Sequence, residues 1–329
     1  MEIIQFKNDH IQEVIKIWND SCGTDMVYKP FNDNDFINKF LKNPHFSYEG
    51  TFVAIEEKKI VGFANGLYKK NFLSGETYEN SPGYITFVLV DKAYRRRGIG
   101  KALLNKVEEF LINNGKRQLD IIFFNPINLQ WYVPGTDEHD HPNAPGVDFD
   151  SAAYKLFQNC NYKDKAKQNS YHLNLDKFSL SEKVIGTLEN LKTKGISIEY
   201  FDPLKHSGFN ELFDDLKNEY WRIEIIGETQ TKNPRPILVA SDNGKICGFT
   251  GPLDVQPSGR GYFAGIGVDS SYGGMGIGTA LFFKLCENLR NEGASFMTLF
   301  TGENNPARKM YETAGFDIVK TWSDMRKEI

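Results

Sequence analysis

The chain has 329 residues, and at roughly 150 residues per domain this length predicts two domains. Its composition, 40% hydrophobic and 25% charged, is that of a globular protein and excludes a disordered or fibrous chain. A formal charge of −4 excludes bulk attraction to nucleic acid or an anionic membrane, and no apolar run approaches the ~20 residues that a bilayer crossing needs.

In chain order, residues 2–6 alternate as a strand. Residues 9–20 have helical spacing through Ile11, Val14, Ile15 and Trp18, and a second helix is expected over 34–42. Strands follow at 51–56, 60–68 and 83–91, separated by Gly, Asn and Ser clusters. Gly98 opens a helix with Leu103, Val107, Phe110 and Leu111 on one face, ending near Gly115. LDIIFF (119–124) reads as a short buried strand, 151–160 as a helix, and 161–175 as closing strand segments. Residues 177–195 are Lys-rich, with Val184, Leu188 and Leu191 at helical spacing, and read as a connecting helix. Beyond it, strands are expected at 196–201, 236–241, 245–251, 261–269 and 296–301, with helices at 276–292 and 304–314.

This order repeats because the sequence does. GYITFVLVDKAYRRRGIGKALL, from Gly83, aligns without gaps with GYFAGIGVDSSYGGMGIGTALF, from Gly261, and the spacing persists at Gly115 and Gly293. IVGF (60–63) matches ICGF (246–249), and Ala153 with Phe157 matches Ala307 with Tyr311. The expected organisation is a first domain over 1–176, a connector over 177–195 and a second domain over 196–329. The first copy carries an insertion over about 125–149. Its Trp131, Tyr132, Pro134, Pro142 and Pro145 predict an ordered lid. Asp137, Glu138, His139, Asp140 and His141 read as solvated charge rather than as ligands, since His-x-His alone is a weak metal signal; no metal is expected. Cys22, Cys160, Cys247 and Cys286 lie far apart and read as reduced thiols. With no apolar signal-type segment in MEIIQFKNDH, the expected compartment is the cytoplasm.

The chemistry concentrates in the strand–glycine–helix units. Arg95-x-x-Gly98-x-Gly100 stands at one helix start, and Gly273-x-x-Gly276-x-Gly278 at the other. Unpaired amides and the helix dipole favour an anion there, and glycines let its oxygens approach the backbone. A dinucleotide fingerprint would follow the first strand, and a Walker loop would have four residues where Gly98-Ile99-Gly100-Lys101 has one. Arg95–Arg97 lacks the interleaved aromatics of a nucleic-acid surface.

With these loops, and with NNPARKMYETAGF carrying Asn304, Ala307, Tyr311, Gly315 and Phe316, the sequence resembles the GNAT superfamily of N-acetyltransferases across both halves. The first copy holds that second landmark in weakened form, at Asp150, Ala153, Phe157, Asn161 and Tyr162. The resemblance implies an α/β (α+β) fold of two tandem domains, each a mixed, mostly antiparallel sheet flanked by helices. It further implies acetyl-CoA or another acyl-CoA as donor, and a small-molecule or peptide amine as acceptor. Neither nucleic acid nor membrane is a partner, and homodimerisation stays open. In the first copy, Val88, Leu89, Val90, Arg95, Arg96, Arg97, Gly98, Ile99, Gly100 and Lys101 are the implied cofactor residues. In the second they are Ile266, Gly267, Val268, Gly273, Gly274, Met275, Gly276, Ile277, Gly278, Thr279, Asn304, Ala307 and Tyr311.

The resemblance gives the helix tyrosine, here Tyr311, the role of protonating the leaving thiolate; Phe157 in the first copy has no proton to give. Glu303 and Asp254 are base candidates by position, and His141 or Asp148 would serve were the first copy active. Gly273 stands where the family has Arg or Gln. The expectation is therefore catalysis in the second copy, with a CoA-shaped cleft in the first. The alternatives are catalysis in the first copy, or a non-catalytic acyl-CoA sensor or scaffold.

Overall fold

The protein is described by a computed structural model covering residues 1–329 except Ser74, Asp137 and Glu138. It divides into two compact units. The first is Met1–Ser170 with Phe300–Asn304 and Ile318–Ile329; the second is Tyr171–Leu299 with Asn305–Asp317.

The first unit opens with β1 (Glu2–Gln5), α1 (Ile11–Ser21) and α2 (Asp33–Phe36, extended by a π turn to Leu41). Then come β2 (Thr51–Glu56), β3 (Lys59–Tyr68), β4 (Gly83–Val90), α3 (Ile99–Asn113) and β5 (Gln118–Ile121). β1 to β4 pair antiparallel in sequence order. β3 is apolar on both faces, since helices cover both. On one side α3 buries Leu103, Leu104, Val107 and Leu111; on the other α1 buries Val14, Ile15 and Trp18 among Phe36, Phe40, Phe63 and Phe87. Each such side chain contributes about 1.5–3 kcal/mol by leaving water. The helix approaches so closely that a Cβ on Gly66 would stand 2.2 Å from Val107 Cγ1.

β4 and β5 are parallel but pair only at Gly83–Leu119 and Tyr84–Asp120. Just beyond, the β3–β4 register shifts at Asn65/Gly66, leaving Thr86 as the extra residue on β4. Its hydroxyl donates to Asn65 Oδ1 at 2.6 Å. Such a bulge bends a strand away from its neighbour, and β5, expected through 124, ends at Ile121. The strands splay from there.

The insertion forms β6 (Trp131–Tyr132), β7 (Asp140–His141) and β8 (Val147–Asp148), followed by α4 (Ala152–Asn159) and β9 (Lys163–Asn174). It is anchored rather than hinged. Trp131 is fully buried, its Nε1 donates to Asn143 O at 3.1 Å, and its ring meets the fully buried Trp322 at 4.7 Å.

Trp322 belongs to the chain's last strand, β17 (Asp317–Glu328). From Ile318 onward it joins the first unit, pairing with β5 from Met325–Ile121 to Glu328–Gln118 and with β8 at Trp322–Asp148. By the repeat alone, this segment is expected in the second domain. A repeat establishes likeness between copies but not which sheet a terminal strand joins. Here a buried charge decides: Arg326 Nε and Nη2 each donate at 2.8 Å to Asp120, which is 1% exposed.

The second unit starts with α5 (Glu182–Thr193), β10 (Ile196–Tyr200), α6 (Phe209–Leu216), α7 (Glu219–Thr229), β11 (Leu238–Asp242) and β12 (Lys245–Gly251). It continues with β13 (Asp254–Val255), β14 (Arg260–Tyr262), β15 (Gly265–Val268), α8 (Ile277–Asn291), β16 (Phe296–Gly302) and α9 (Arg308–Thr313). A four-stranded sheet runs β10-β11-β12-β15. β14 pairs with β16 in parallel, Gly261 against Met297, in the register of Gly83 against Leu119. α8 is the core helix, burying Leu281, Phe282, Phe283, Leu285 and Leu289.

Candidate functional site

In the first unit the splay opens a cleft of about 520 Å³ between β4, the start of α3, α4 and the insertion. Nine of the ten residues expected to hold a cofactor in this copy line it: Val88, Leu89, Val90, Arg95, Arg96, Gly98, Ile99, Gly100 and Lys101. The exception is Arg97, which turns to Glu56 at 3.4 Å and stacks over Tyr94. Gly98 caps α3 in the left-handed conformation (φ +83°), and a Cβ placed on it would meet nothing within 4 Å. The amides of the first turn have no intrahelical acceptors. Arg95 is committed elsewhere: its Nε donates to Val90 O at 2.9 Å and its Nη1 pairs with Asp25 at 3.1 Å. Arg96, Lys101 and Lys155 remain as the lining cations.

Deeper in, the β4 edge from Ile85 to Val90 has lost β5 as partner. Asn125 Nδ2 takes the Ile85 carbonyl at 3.1 Å, and the insertion closes the wall with Ile127, Leu129, Ala144, Val147 and Asp148. Phe157 lines the cleft as an apolar surface, 2% exposed, against Tyr162.

A second cavity of about 620 Å³ shares Asp25, Met26, Tyr28 and Asp148 with the cleft and runs under Tyr132–Thr136. Asp148 Oδ1 is 2.8 Å from Lys320 Nζ, and Asp150 is 3.5 Å from the same ammonium. Burial first, and then the Asp148 charge, push the Tyr28 phenol well above its ordinary pKa of 10. Burial raises Cys22, also on this wall, to about 12. Of the two first-copy base candidates, Asp148 lines the cleft, whereas His141 packs against Trp131 and His139. Asp137 and Glu138 lie outside the described residues. Among the described residues, no group of three or more His, Cys, Asp or Glu has metal-holding geometry.

The second copy's candidates are arranged differently. Gly276 repeats the left-handed cap (φ +84°), but a Cβ there would stand 2.9 Å from Thr187 Cγ2 of α5. Gly274 is open, and Gly273 is approached only by Ser270 O. A Cβ on Gly278 would meet Val268 Cγ2 at 3.7 Å, and one on Gly267 would meet Leu216 at 2.6 Å. Thr279 follows in the first turn of α8, half-buried. Ile277 is in the core, and Ile266, Val268, Met275 and Ala307 pack on it. Tyr311 is 9% exposed, wedged among Phe282, Phe316 and Tyr171, and burial raises its pKa. Asp254 sits on β13 opposite Tyr262. Glu303 and Asn304 fall in the first unit, while Tyr311 and Asp254 are in the second.

Sequence reasoning missed Tyr28, Asp25 and Lys320. Tyr28 and Asp25 sit in a loop after α1 without periodic signal, and Lys320 depends on the terminal strand joining the first unit.

The description "Acetyltransferase (GNAT) family" belongs to the family model that matches residues 11–132 and again 199–316. A mycothiol acetyltransferase of Thermomonospora curvata is 29% identical over 133 residues, covering 37% of this chain and 44% of the relative. One from Thermobifida fusca is 32% identical over 98 residues, covering 26% and 30%. These matches thus span less than half of either relative. Among solved structures, a glucosamine N-acetyltransferase region of a fungal multi-domain β-N-acetylglucosaminidase superposes with TM-score 0.62 at 17% identity, over 99% of this chain and 38% of that one. A tandem GNAT protein from the clavulanic acid biosynthesis pathway superposes at 0.52 and 15% identity, over 99% and 98%. At such identities the superpositions establish the fold alone. No helix among the described residues is long and apolar enough to cross a membrane. With the family model matched in both halves of the repeat, the chain belongs to the GNAT acetyltransferase family.

Proposed function

We propose that the protein is an acyl-CoA-dependent N-acyltransferase, with acetyl-CoA as donor and a small-molecule or peptide amine as acceptor, whose working cleft is that of the first copy. The observation that carries this choice is the contrast between the two caps: Gly98 faces open space beside a cleft of about 520 Å³, whereas Thr187 crowds Gly276. This favours the first copy over the second, which the sequence had preferred for Tyr311. The free thiols of Cys160, Cys247 and Cys286, all buried, suit work in the cytoplasm.

The residues present fit the donor. The Gly98 loop and the α3 amides, with Arg96 and Lys101, would hold the pyrophosphate. The bare edge of β4 would pair with an amide-bearing arm, much as it would with an added strand. Bound acetyl-CoA supplies a thioester at which the acceptor's C–N bond forms as the C–S bond breaks. The acceptor nitrogen must shed a proton, and Asp148, on the wall shared by both cavities, takes it. The departing sulfur needs a proton, and Tyr28, kept protonated by burial and by Asp148, gives it. Lys320 holds Asp148 in place. Calorimetric titration with acetyl-CoA, followed by free-thiol release in the presence of an amine, tests the reading.

A further inference from the structure

The chemistry of the second cavity narrows the acceptor, given the reading that acyl-CoA occupies the adjoining cleft. Its charges do not balance. Lys320 is one cation held between two carboxylates, 2.8 Å from Asp148 and 3.5 Å from Asp150, so this trio carries a net negative charge. Asp25 is already neutralised by Arg95 at 3.1 Å and Lys92 at 3.4 Å. Among the described residues on this cavity's wall, Lys320 is the only cationic side chain. An acceptor bearing a carboxylate or phosphate would meet no cation without a partner. An ammonium group meets Asp150, a lining residue whose side chain is 79% exposed. The remaining wall is largely apolar or aromatic: Val27, Val133, Pro30, Pro134 and Tyr132.

We propose that the second cavity is the acceptor subsite for a cationic alkylamine with an apolar body and no anionic group, and that Asp150 is its specificity-determining carboxylate. The amine arrives protonated, is drawn by Asp150, and sheds its first proton to water beside that exposed carboxylate; the neutral amine then loses its second proton to Asp148 at the doorway formed by Tyr28 and Asp148.

The test is a matched pair, phenethylamine and phenylalanine, which share an apolar body and differ by one carboxylate. With acetyl-CoA saturating, kcat/KM for phenethylamine should exceed that for phenylalanine by more than about tenfold. Asp150→Lys should raise the KM for phenethylamine about fivefold, the scale of losing one exposed ion pair, and leave the acetyl-CoA Kd unchanged. Asp150→Asn should fall between. Equal turnover of the pair, turnover of neither, or an unmoved KM in Asp150→Lys, each with acetyl-CoA binding intact, would overturn the acceptor assignment alone. Absence of acetyl-CoA binding by the unmodified protein would overturn the cleft reading and this inference with it.

Discussion

Lys320 Nζ lies 2.8 Å from Asp148 Oδ1, with both side chains largely buried at 13% and 10% exposure. One residue comes from the first copy's insertion and the other from the chain's last strand. Part of the wall between the two cavities is thus held by the C-terminus.

Replacing Lys320 by Met should lower kcat about tenfold, a fraction of what a general base supplies, with the acetyl-CoA Kd unchanged. Lys320→Arg should restore most of the rate, since it restores the cation. Steady-state kinetics beside calorimetry separate this from a folding defect, which would move both quantities.

Tyr28→Phe should reduce kcat about 100-fold, the lower range for a proton donor, at unchanged cofactor affinity. Because burial and Asp148 raise this phenol above 10, its proton stays on past the usual tyrosine range. The kcat profile of the unmodified enzyme should therefore show no tyrosine ionisation at or below pH 10. A limb there that disappears in Tyr28→Phe would contradict the assignment of a raised phenol.

Asp120 and Arg326 form a bidentate pair with Asp120 1% exposed. Arg326→Met strands a buried carboxylate and should cost roughly 3 kcal/mol. The double variant Asp120→Leu/Arg326→Met should recover part of it. Urea denaturation midpoints check both. A single variant as stable as the unmodified protein would mean that the terminal strand is held by something else.

Much of this was legible from residues alone. The repeat of Gly83–Leu104 at Gly261–Phe282 defined two like units, and the Gly98 motif identified nearly the whole loop wall of the cleft. What was not legible depended on long-range geometry. Nothing local tells that Ile318–Ile329 joins the first unit, or that Thr187, in a connecting helix, reaches Gly276. Tyr311 carries the complete motif, and its ring lies against Phe282 and Phe316, contacts that no local pattern announces. Gly98 and Gly276 share nearly the same backbone conformation, and the packing around them differs.

Alkaline pH should destabilise the fold. Burial raises Cys247 from 9.0 to about 11 and Cys22 to about 12. A raised folded pKa means that the unfolded chain ionises first. The stability these thiols contribute is whole below pH 9.0 and lost as pH climbs toward 11 and 12. Thermal melting should show Tm falling between pH 8.5 and 10.5, and falling less in a Cys22→Ala/Cys247→Ala variant.

The most direct test of the central claim is calorimetric titration of acetyl-CoA into the unmodified protein and three variants. Gly98→Glu puts a carboxylate where the pyrophosphate should sit. Gly98→Asn tolerates the left-handed backbone and controls for strain, and Gly274→Glu places the charge in the second copy's loop, where a Cβ has room. The account predicts binding to the unmodified protein, loss in Gly98→Glu, retention in Gly98→Asn and an unchanged Kd in Gly274→Glu. Loss of binding in Gly274→Glu with Gly98→Glu unaffected would contradict it and return the cofactor to the second copy.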